Sequence, residues 1–344
     1  MRVLRLHGPK DLRMHEEPIP EPGRGEVRLK ITSVGVCASD LHYYRDGRIG
    51  TTLIAEPLVI GHEAAAVVDA IGEGVTSHKI GDRVALEPTN ACGECMFCKA
   101  GHFNVCPNVE FFGTPPQDGC LREYITWPAE LAIKVPDSMT DDEAAIIEPL
   151  AVGVHAVRLA DLEGGETVAV LGAGAIGLSV IQAAKVGGAK RIIVSEPVAA
   201  RRELALKLGA TEAIDPSTSS DIEEFKKLTD GIGPDVVYEC IGEDGASYLA
   251  SQIVRILGKI VVVGIPDEDV YTFHASPSRR KEMTVIFCRR SNDAAETSIE
   301  WVTSGKADAK SMATHRFPLE DAAKAMEFAM AKKDGVIRAI IAVS

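Results

Sequence analysis

The pattern of hydrophobic and polar positions divides the chain into two regions of different character. Up to Pro149, short apolar stretches with partly alternating polarity are separated by turns rich in glycine and proline. Stretches of this kind are typical of the strands of a barrel-like β domain. They are EVRLKITSVGV, LVIGHEAAAVVDAIG, GDRVALEP and LREYITW.

From Thr167 onward, short apolar strands alternate with helices. This alternation predicts a parallel sheet covered on both faces, and six strands in this order match a doubly wound dinucleotide-binding (Rossmann) domain. The predicted strands are Val168–Leu171, Arg191–Ser195, Ala213–Ile214, Asp235–Glu239, Lys259–Val263 and Met283–Phe287. The predicted helices are Ala175–Val186, Ala199–Leu208, Asp221–Leu228 and Ala246–Ile256.

The C-terminal region predicts a helix over Glu320–Asp334 and a final apolar strand over Ile337–Val343. Because six strands already complete the parallel sheet, we expect this last strand to return to the first domain. The predicted fold class is therefore α/β with two domains. One domain comprises residues 1–149 and 289–344, and the other comprises residues 150–288.

Composition narrows the possible functions. The chain has 344 residues, which is enough for two hydrophobic cores, and its net charge of −13 argues against a nucleic-acid partner. The uncharged run Thr167–Ala184 contains three glycines, so we interpret it as a strand, a turn and a helix, and we expect no membrane span. The N-terminus shows no secretory signal pattern, which predicts a cytoplasmic protein.

Four closely spaced cysteines predict a structural zinc site. Cys92, Cys95, Cys98 and Cys106 follow the spacing C-x2-C-x2-C-x7-C, and four thiolates leave no open position on a tetrahedral ion. Two alternatives are disulfide bonds, which a reducing cytosol disfavours, and an iron–sulfur cluster. The comparable ferredoxin pattern has about three residues before its last cysteine, where this chain has seven.

A glycine-rich turn predicts a dinucleotide site. Gly172, Gly174, Ile176 and Gly177 lie in GAGAIG, which follows an apolar strand and opens a helix, as in G-x-G-x-x-G. The carboxylate of Glu196, after the second strand, is expected to bind the ribose and favour NAD over NADP.

The remaining candidates of this site have several expected roles. Glu196 alternatively caps the helix that follows it. Arg201 is expected to lie near the adenine or to pair locally. Val263, Gly264 and Ile265 are further expected cofactor contacts, at the end of the fifth strand.

A second set of residues could hold an open metal site. A thiolate, an imidazole and carboxylates can bind zinc and leave one coordination position for water or substrate. The candidates in this chain are Cys37, His62, Glu63 and Glu148. Nothing in their spacing shows that they converge.

Several longer segments make the chain similar to a known family. They are CASDLHYYRDGRIG, GHEAAAVV, FFGTPPQDGCLREY, IEPLAVGVHA, GAGAIG and THRFPLEDA. Over nearly its whole length the chain resembles the zinc-dependent medium-chain alcohol dehydrogenases, and among them the polyol (sorbitol) dehydrogenases. It departs from the common pattern at Ala66, where glycine is usual, and at Arg290, where an aromatic residue is frequent.

The resemblance implies a GroES-like catalytic domain and a catalytic zinc held by Cys37 and His62. It implies Glu63 as the direct third ligand, with Glu148 as the competing candidate that otherwise holds the metal-bound water. Ser39 and His42 would relay a proton, although His42 could equally be structural. The implied polyol contacts are Tyr43, Glu148, Arg289 and Arg290, with the pocket wall formed by Ile49, Phe111 and Thr114; Arg290 could instead be an ordinary surface residue.

The resemblance thus predicts an NAD-dependent oxidation of a secondary hydroxyl of a polyol to a ketose, reversibly, by a homotetramer. It leaves the preferred polyol and the stereochemistry open. One alternative is a related zinc dehydrogenase acting on threonine, idonate or butanediol. Another is a zinc- and nucleotide-binding protein without catalysis, which would have no need of an open metal position.

Overall fold

The computed structural model describes residues 1–243 and 245–344, and the chain divides into two compact units. The first unit contains Met1–Glu148, Ala295–Ser304 and Ala309–Ser344. The second contains Pro149–Ala294 and Gly305–Asp308.

A seven-stranded sheet organises the first unit. Six of its strands follow one another in the order Ala132–Lys134, Arg83–Leu86, Glu63–Ile71, Glu26–Gly35, Arg338–Ala342 and Ala313–Pro318, and the seventh strand, Tyr124–Pro128, also pairs with Glu26–Gly35. The C-terminal strand pairs antiparallel with Glu26–Gly35, so it does return to the first unit.

Alternating burial along the central strand explains its position in that sheet. Val27, Leu29 and Ile31 are fully buried, while Lys30 is exposed. From Ile31 to Gly35 every residue is buried, because further chain covers this end of the sheet on its other side. The end of the strand is therefore well placed to carry a buried site.

Short elements complete the first unit. The remaining strands are Arg2–Leu6, Leu12–Glu16, Arg48–Ile49, Thr52–Leu53, Thr89–Asn90 and Glu110–Phe111. The helices are Ala38–Asp46, Met96–Lys99, Asp141–Ala145, Ala295–Thr303 and Ala322–Met330. The 3₁₀ helices are Phe103–Val105, Ala129–Leu131, Lys310–Met312, Leu319–Asp321 and Lys333–Gly335.

The predicted single helix over Glu320–Asp334 is wrong in its extent. The α-helix covers only Ala322–Met330, with a 3₁₀ turn before and after it. Lys332 adopts a left-handed φ of 50°, which a continuous right-handed helix cannot accommodate.

The second unit contains a six-stranded, fully parallel sheet. In space its strands are ordered Glu212–Ile214, Arg191–Ser195, Thr167–Leu171, Val236–Glu239, Lys259–Val262 and Thr284–Phe287. Counted along the chain, this order places the third, second and first strands before the fourth, fifth and sixth. It is the doubly wound order, so the predicted α/β fold class is confirmed.

The helices of the second unit are Ala175–Val186, Ala199–Leu208, Asp221–Leu228, Ala246–Ile253 and Ala275–Lys281, together with Ile147–Ala160, which begins in the first unit. The first three have the predicted bounds. The fourth ends at Ile253 and not at Ile256, because Val254 takes an extended backbone with a ψ of 142°. In the described part of the chain, no helix is long and apolar enough to cross a membrane.

Candidate active site and zinc clusters

Three potential metal ligands converge in the first unit. The Sγ atom of Cys37, a ring nitrogen of His62 and a carboxylate oxygen of Glu63 lie within 4.8 Å of one another. Strand pairing explains the convergence. Glu63 is the first residue of its strand and pairs with Gly35, the last residue of the neighbouring antiparallel strand. Cys37 follows two residues later and forms the N-cap of the helix Ala38–Asp46.

Asp40 holds the backbone of one of these ligands and lies beside a second. Its Oδ2 accepts a hydrogen bond from the Cys37 amide at 2.9 Å, and its Oδ1 accepts one from the Gly61 amide at 3.0 Å. The same Oδ1 lies 3.6 Å from Nδ1 of His62. Burial alone would lower the pKa of His62, but the charges of Asp40 and Cys37 raise it well above its usual value. The negative charges around His62 therefore favour its protonated form when no metal is bound.

Glu63 is fully buried and forms an ion pair with a buried arginine. Nη2 of Arg338 lies 2.8 Å from Oε1 of Glu63, and Nη1 donates to the Val36 carbonyl at 2.8 Å. Burial raises the pKa of Glu63, and the Arg338 charge opposes that rise. A β-carbon on Gly35 would lie 2.3 Å from Oε2 of Glu63, so the carboxylate occupies space that only glycine leaves free.

The donor set fits zinc. Among the described residues, none donates a hydrogen bond to the buried Oε2 of Glu63. A thiolate, an imidazole and a carboxylate are the ligands that catalytic zinc sites use, and three protein ligands leave a fourth position open. Cys37, His62 and Glu63 would hold the ion.

Glu148 lies outside this compact group of ligand atoms. It is buried in the first turn of the helix Ile147–Ala160. Burial, reinforced by the charges of Glu63 and Glu87, raises the pKa of Glu148 to about 8, although His62 opposes the rise. The structure thus brings Glu63, and not Glu148, together with Cys37 and His62.

Three other candidate residues of the first unit, Ser39, His42 and Phe111, lie on or near the elements that carry these ligands. Oγ of Ser39 lies 3.5 Å from Nε2 of His62, and the Phe111 ring centroid lies 5.3 Å from that of His62. His42 lies on the same helix as Ser39, with Nδ1 3.5 Å from Arg45. The structure therefore places Ser39 and Phe111 beside the cluster.

The other predicted substrate contacts of this group are Tyr43, Ile49, Thr114, Arg289 and Arg290. Tyr43 is buried in the core of the first unit, and Ile49 packs against the same core. Thr114 forms a turn with Gln117. Arg289 and Arg290 follow the last parallel strand of the second unit.

The four-cysteine lobe has the geometry of a metal cage. The sulfur atoms of Cys92, Cys95, Cys98 and Cys106 lie 3.4 to 4.0 Å apart in four of their pairs. A disulfide requires about 2.05 Å, so the disulfide alternative is contradicted. Four thiolates at zinc–sulfur distances of about 2.3 Å lie about 3.8 Å apart, which matches.

Local backbone geometry supports that cage. Cys95 caps the short helix Met96–Lys99 by accepting the Cys98 amide at 3.4 Å. The amides of Glu94 and Cys95 lower the pKa of Cys92 to about 6, whereas burial raises that of Cys98 to about 12. A bound cation would favour the thiolate form throughout the lobe.

In the second unit, the glycine-rich turn has the predicted form. Gly172 has a φ of 91°, and Gly174 is the N-cap of the helix Ala175–Val186. A β-carbon on Gly177 would lie 2.0 Å from the Gly172 carbonyl, so only glycine permits this close packing. The first helical turn therefore presents its amides where a phosphate can approach.

Glu196 ties this turn to the next strand. Its Oε2 accepts the Ala173 amide at 2.8 Å, and its Oε1 accepts the Val198 amide at 3.0 Å. The carboxylate bonds the amide of the N-cap residue Val198 and none of the first helical amides, and each of its oxygens retains a second lone pair for a ribose hydroxyl. Burial lowers the pKa of Arg201, and the nearby negative charge of Glu196 opposes that lowering.

The sequence analysis did not predict three residues that hold parts of these sites in place. They are Asp40, Glu239 and Arg338. Oε1 of Glu239 accepts the amides of Ile241 and Gly242 at 2.7 and 2.8 Å, and its carbonyl accepts those of Val263 and Gly264 at 2.8 and 3.0 Å. Sequence signals existed for two of them. Asp40 stands at the third position after the helix-capping Cys37, and Arg338 is the one charged residue of the apolar run Ile337–Val343.

Comparison with known proteins identifies the family. Residues 23–137 match the alcohol dehydrogenase GroES-like domain, and residues 175–304 match the zinc-binding dehydrogenase family. The chain belongs to the zinc-dependent medium-chain alcohol dehydrogenases. The family and the two clusters confirm the predicted cofactors, zinc and NAD.

Full-length relatives support this assignment. The chain is 37% identical to sorbitol dehydrogenase of Bacillus subtilis, covering 99% of this chain and 97% of the relative. It is 39% identical to the human sorbitol dehydrogenase, covering 94% and 91%. Among solved structures, an Escherichia coli dehydrogenase of unknown specificity superimposes with a TM-score of 0.94 at 33% identity, covering 100% and 99%.

Other solved structures differ in substrate and bound cofactor. L-idonate 5-dehydrogenase of Escherichia coli has a TM-score of 0.92 at 26% identity, covering 99% and 98%. An Escherichia coli alcohol dehydrogenase complexed with NADH has a TM-score of 0.90 at 31% identity, covering 100% and 99%. A zinc-binding dehydrogenase from Sinorhizobium meliloti, bound to NADP, has a TM-score of 0.91 at 28% identity, covering 99% and 99%.

Proposed function

We propose that the protein oxidises a secondary hydroxyl of a polyol of the sorbitol, xylitol or galactitol type to a ketose, reversibly and with NAD. The convergence of Cys37, His62 and Glu63 carries the proposal, because this donor set suits a metal with an open position. The similarity to named sorbitol dehydrogenases over nearly the whole chain supports the substrate class.

The proposed roles of the residues start from the metal ligands. Cys37, His62 and Glu63 would hold zinc, which would supply Lewis acidity for ionising a hydroxyl near neutral pH. Bound NAD would supply the hydride acceptor. Asp40 holds the Cys37 amide and lies beside the His62 ring, and Glu148 supplies a second buried carboxyl near the ligands.

The proton leaves through polar groups of the first helix in this proposal. Oγ of Ser39, 3.5 Å from Nε2 of His62, is placed to accept it and pass it to His42, which is on the same helix. Glu148, Tyr43, Arg289 and Arg290 are the proposed polyol contacts. Ile49, Phe111 and Thr114 are proposed to shape the pocket wall.

The cofactor preference is part of the proposal. Gly172, Gly174, Ile176 and Gly177 approach the pyrophosphate, and Glu196 binds the ribose of NAD while repelling the additional phosphate of NADP. Arg201, Val263, Gly264 and Ile265 complete the proposed contacts. We propose that the working form is a homotetramer in the cytoplasm, where the thiol ligands stay reduced.

The experiment is a substrate screen that records NADH absorbance. Zinc-replete enzyme is offered sorbitol, xylitol, galactitol, L-idonate, 2,3-butanediol and threonine, with a Cys37→Ser variant as the matched control. Turnover of a polyol by the wild type alone supports the proposal. Faster turnover of L-idonate, butanediol or threonine would replace it, and no turnover of any compound would favour a non-catalytic binding protein.

A further inference from the structure

Arg202 holds the main chain of the residue that the proposed function assigns to the ribose. Its Nη1 donates to the carbonyls of Glu196 and Pro197, at 2.7 Å in both cases. The Glu196 carboxylate in turn accepts the amides of Ala173 and Val198. The Arg202 side chain therefore restrains the backbone from which this carboxylate projects toward the glycine-rich turn.

Asp215 binds the other side of the same guanidinium. Its Oδ2 lies 2.7 Å from Nη2 of Arg202, and its Oδ1 accepts the amide and the hydroxyl of Ser217 at 3.0 and 2.6 Å. Hydrogen bonds from Ser217, together with the charge of Arg202, hold the pKa of Asp215 below its usual value. Asp215 directly follows the strand Glu212–Ile214, so the ion pair joins the carboxyl ends of two neighbouring parallel strands.

The charges around this ion pair bear on the choice of cofactor. The first turn of the helix Ala199–Leu208 consists of two alanines followed by Arg201 and Arg202. The amino end of a helix is already positive, so two arginines there strengthen its attraction for an anion. This helix follows the strand Arg191–Ser195, which places its amino end at the carboxyl edge of the sheet, where a dinucleotide binds.

An additional phosphate could compete for the Arg202 guanidinium. The side chains of Arg202 and Asp215 remain 19% and 25% exposed, so the ion pair is accessible from solvent. A guanidinium binds phosphate and carboxylate groups with the same bidentate geometry. Asp215 therefore occupies donors that the additional phosphate of NADP would otherwise engage.

We propose that Arg202 and Asp215 act with Glu196 in selecting NAD over NADP. Arg202 is a positioning residue that keeps the Glu196 carboxylate directed at the ribose. Asp215 keeps the Arg202 guanidinium from binding the additional phosphate. This inference rests on the proposed function, which assigns Glu196 to the ribose.

Fluorescence titrations with NADH and NADPH test the inference without turnover. Asp215→Asn keeps the shape of the side chain and an oxygen for Ser217, but it releases the guanidinium. We expect the dissociation constant of NADPH to fall about tenfold and that of NADH to stay within about twofold. In Asp215→Asn/Arg202→Met the gain for NADPH should disappear, because the guanidinium carries it.

The positioning role is tested by Arg202→Met alone. NADH should bind about fivefold more weakly, while NADPH should change less, because Glu196 no longer faces the ribose in a fixed orientation. Arg202→Lys can still donate to a carbonyl and should recover part of the loss. A purely structural defect would weaken both dinucleotides equally.

Glu212→Gln is the matched control for the loss of a carboxylate. Glu212 lies on the strand that precedes Asp215 and pairs with Arg191 at 2.7 Å, with both side chains partly exposed. This variant breaks an ion pair of the same length at the other end of the strand. The ratio of the two dissociation constants should stay at the wild-type value.

Three results would overturn the inference: an unchanged NADPH constant in Asp215→Asn, a gain that persists in the double variant, or equal weakening of both dinucleotides by Arg202→Met. Failure of the proposed function is distinguishable. A wild type that prefers NADPH, or that oxidises no polyol, contradicts the proposed function, while the differences between variants still decide the roles of Arg202 and Asp215. A wild type that binds neither dinucleotide would overturn both.

Discussion

The buried pair of Arg338 and Glu63 provides a quantitative test of how the candidate active site is stabilised. In an Arg338→Met variant, the fully buried Glu63 loses the guanidinium at 2.8 Å, so it must either stay charged without this partner or take up a proton. Removing one partner of a buried ion pair costs about 3–5 kcal/mol, because the other charge is left uncompensated. We expect the free energy of unfolding of zinc-free protein to fall by that amount.

Bound zinc should reduce this loss. In zinc-loaded protein the Glu63 carboxylate faces a divalent cation, which replaces part of the missing positive charge. A Glu63→Gln/Arg338→Met variant should also recover much of the lost stability, since neither partner then carries a buried charge. The effect of the arginine substitution therefore depends on both the metal and the carboxylate.

Urea unfolding followed by tryptophan fluorescence is the appropriate assay. Both tryptophans, Trp127 and Trp301, lie in the first unit, which also contains Arg338. The control is Arg316→Met on the adjacent strand. Arg316 is half exposed and pairs with Asp142, so its loss should cost at most about 1 kcal/mol.

Two outcomes would refute this reasoning. One is a loss below about 1 kcal/mol for Arg338→Met in zinc-free protein, since the carboxylate would then tolerate isolation. The other is an equal loss with and without zinc, which would show that the ion does not share the Glu63 charge.

Three further predictions concern other parts of the molecule. Cys98→Ser should remove one zinc per chain and lower the melting temperature; unchanged zinc content would contradict the cage. Glu196→Ala should weaken NAD binding more than NADP binding in fluorescence titrations, and it should also destabilise the turn at Ala173; equal losses would remove the argument for cofactor choice. Tyr238→Phe removes a buried hydroxyl that has no hydrogen-bond partner among the described residues, so the free energy of unfolding by circular dichroism should be unchanged or higher by about 1 kcal/mol. A large loss in this variant would show that the hydroxyl is bonded.

The second unit was largely predictable from the sequence. Fully parallel strands buried on both faces produce short apolar runs, and the strand Arg191–Ser195 and the helix Ala175–Val186 have the predicted bounds. Helix ends were harder to predict. Ile256 lies beyond the end of its helix because the turn at Val254 is set by backbone conformation and not by hydrophobic pattern.

The ligands of the candidate site were predictable only through family resemblance, because their convergence depends on strand register. Cys37 and Glu63 meet where two antiparallel strands pair Gly35 with Glu63. The Arg338 contact with Val36 joins positions 302 residues apart, a distance over which periodicity carries no information.

Zinc content measured on wild type and on Cys37→Ser decides whether Cys37, His62 and Glu63 form an open metal site. We predict two zinc ions per wild-type chain, one for each cluster, and a single remaining ion in the variant with its fold intact. A variant that retains both ions, or a wild-type chain that holds only the four-cysteine ion, would contradict the assignment of Cys37, His62 and Glu63 as an open metal site.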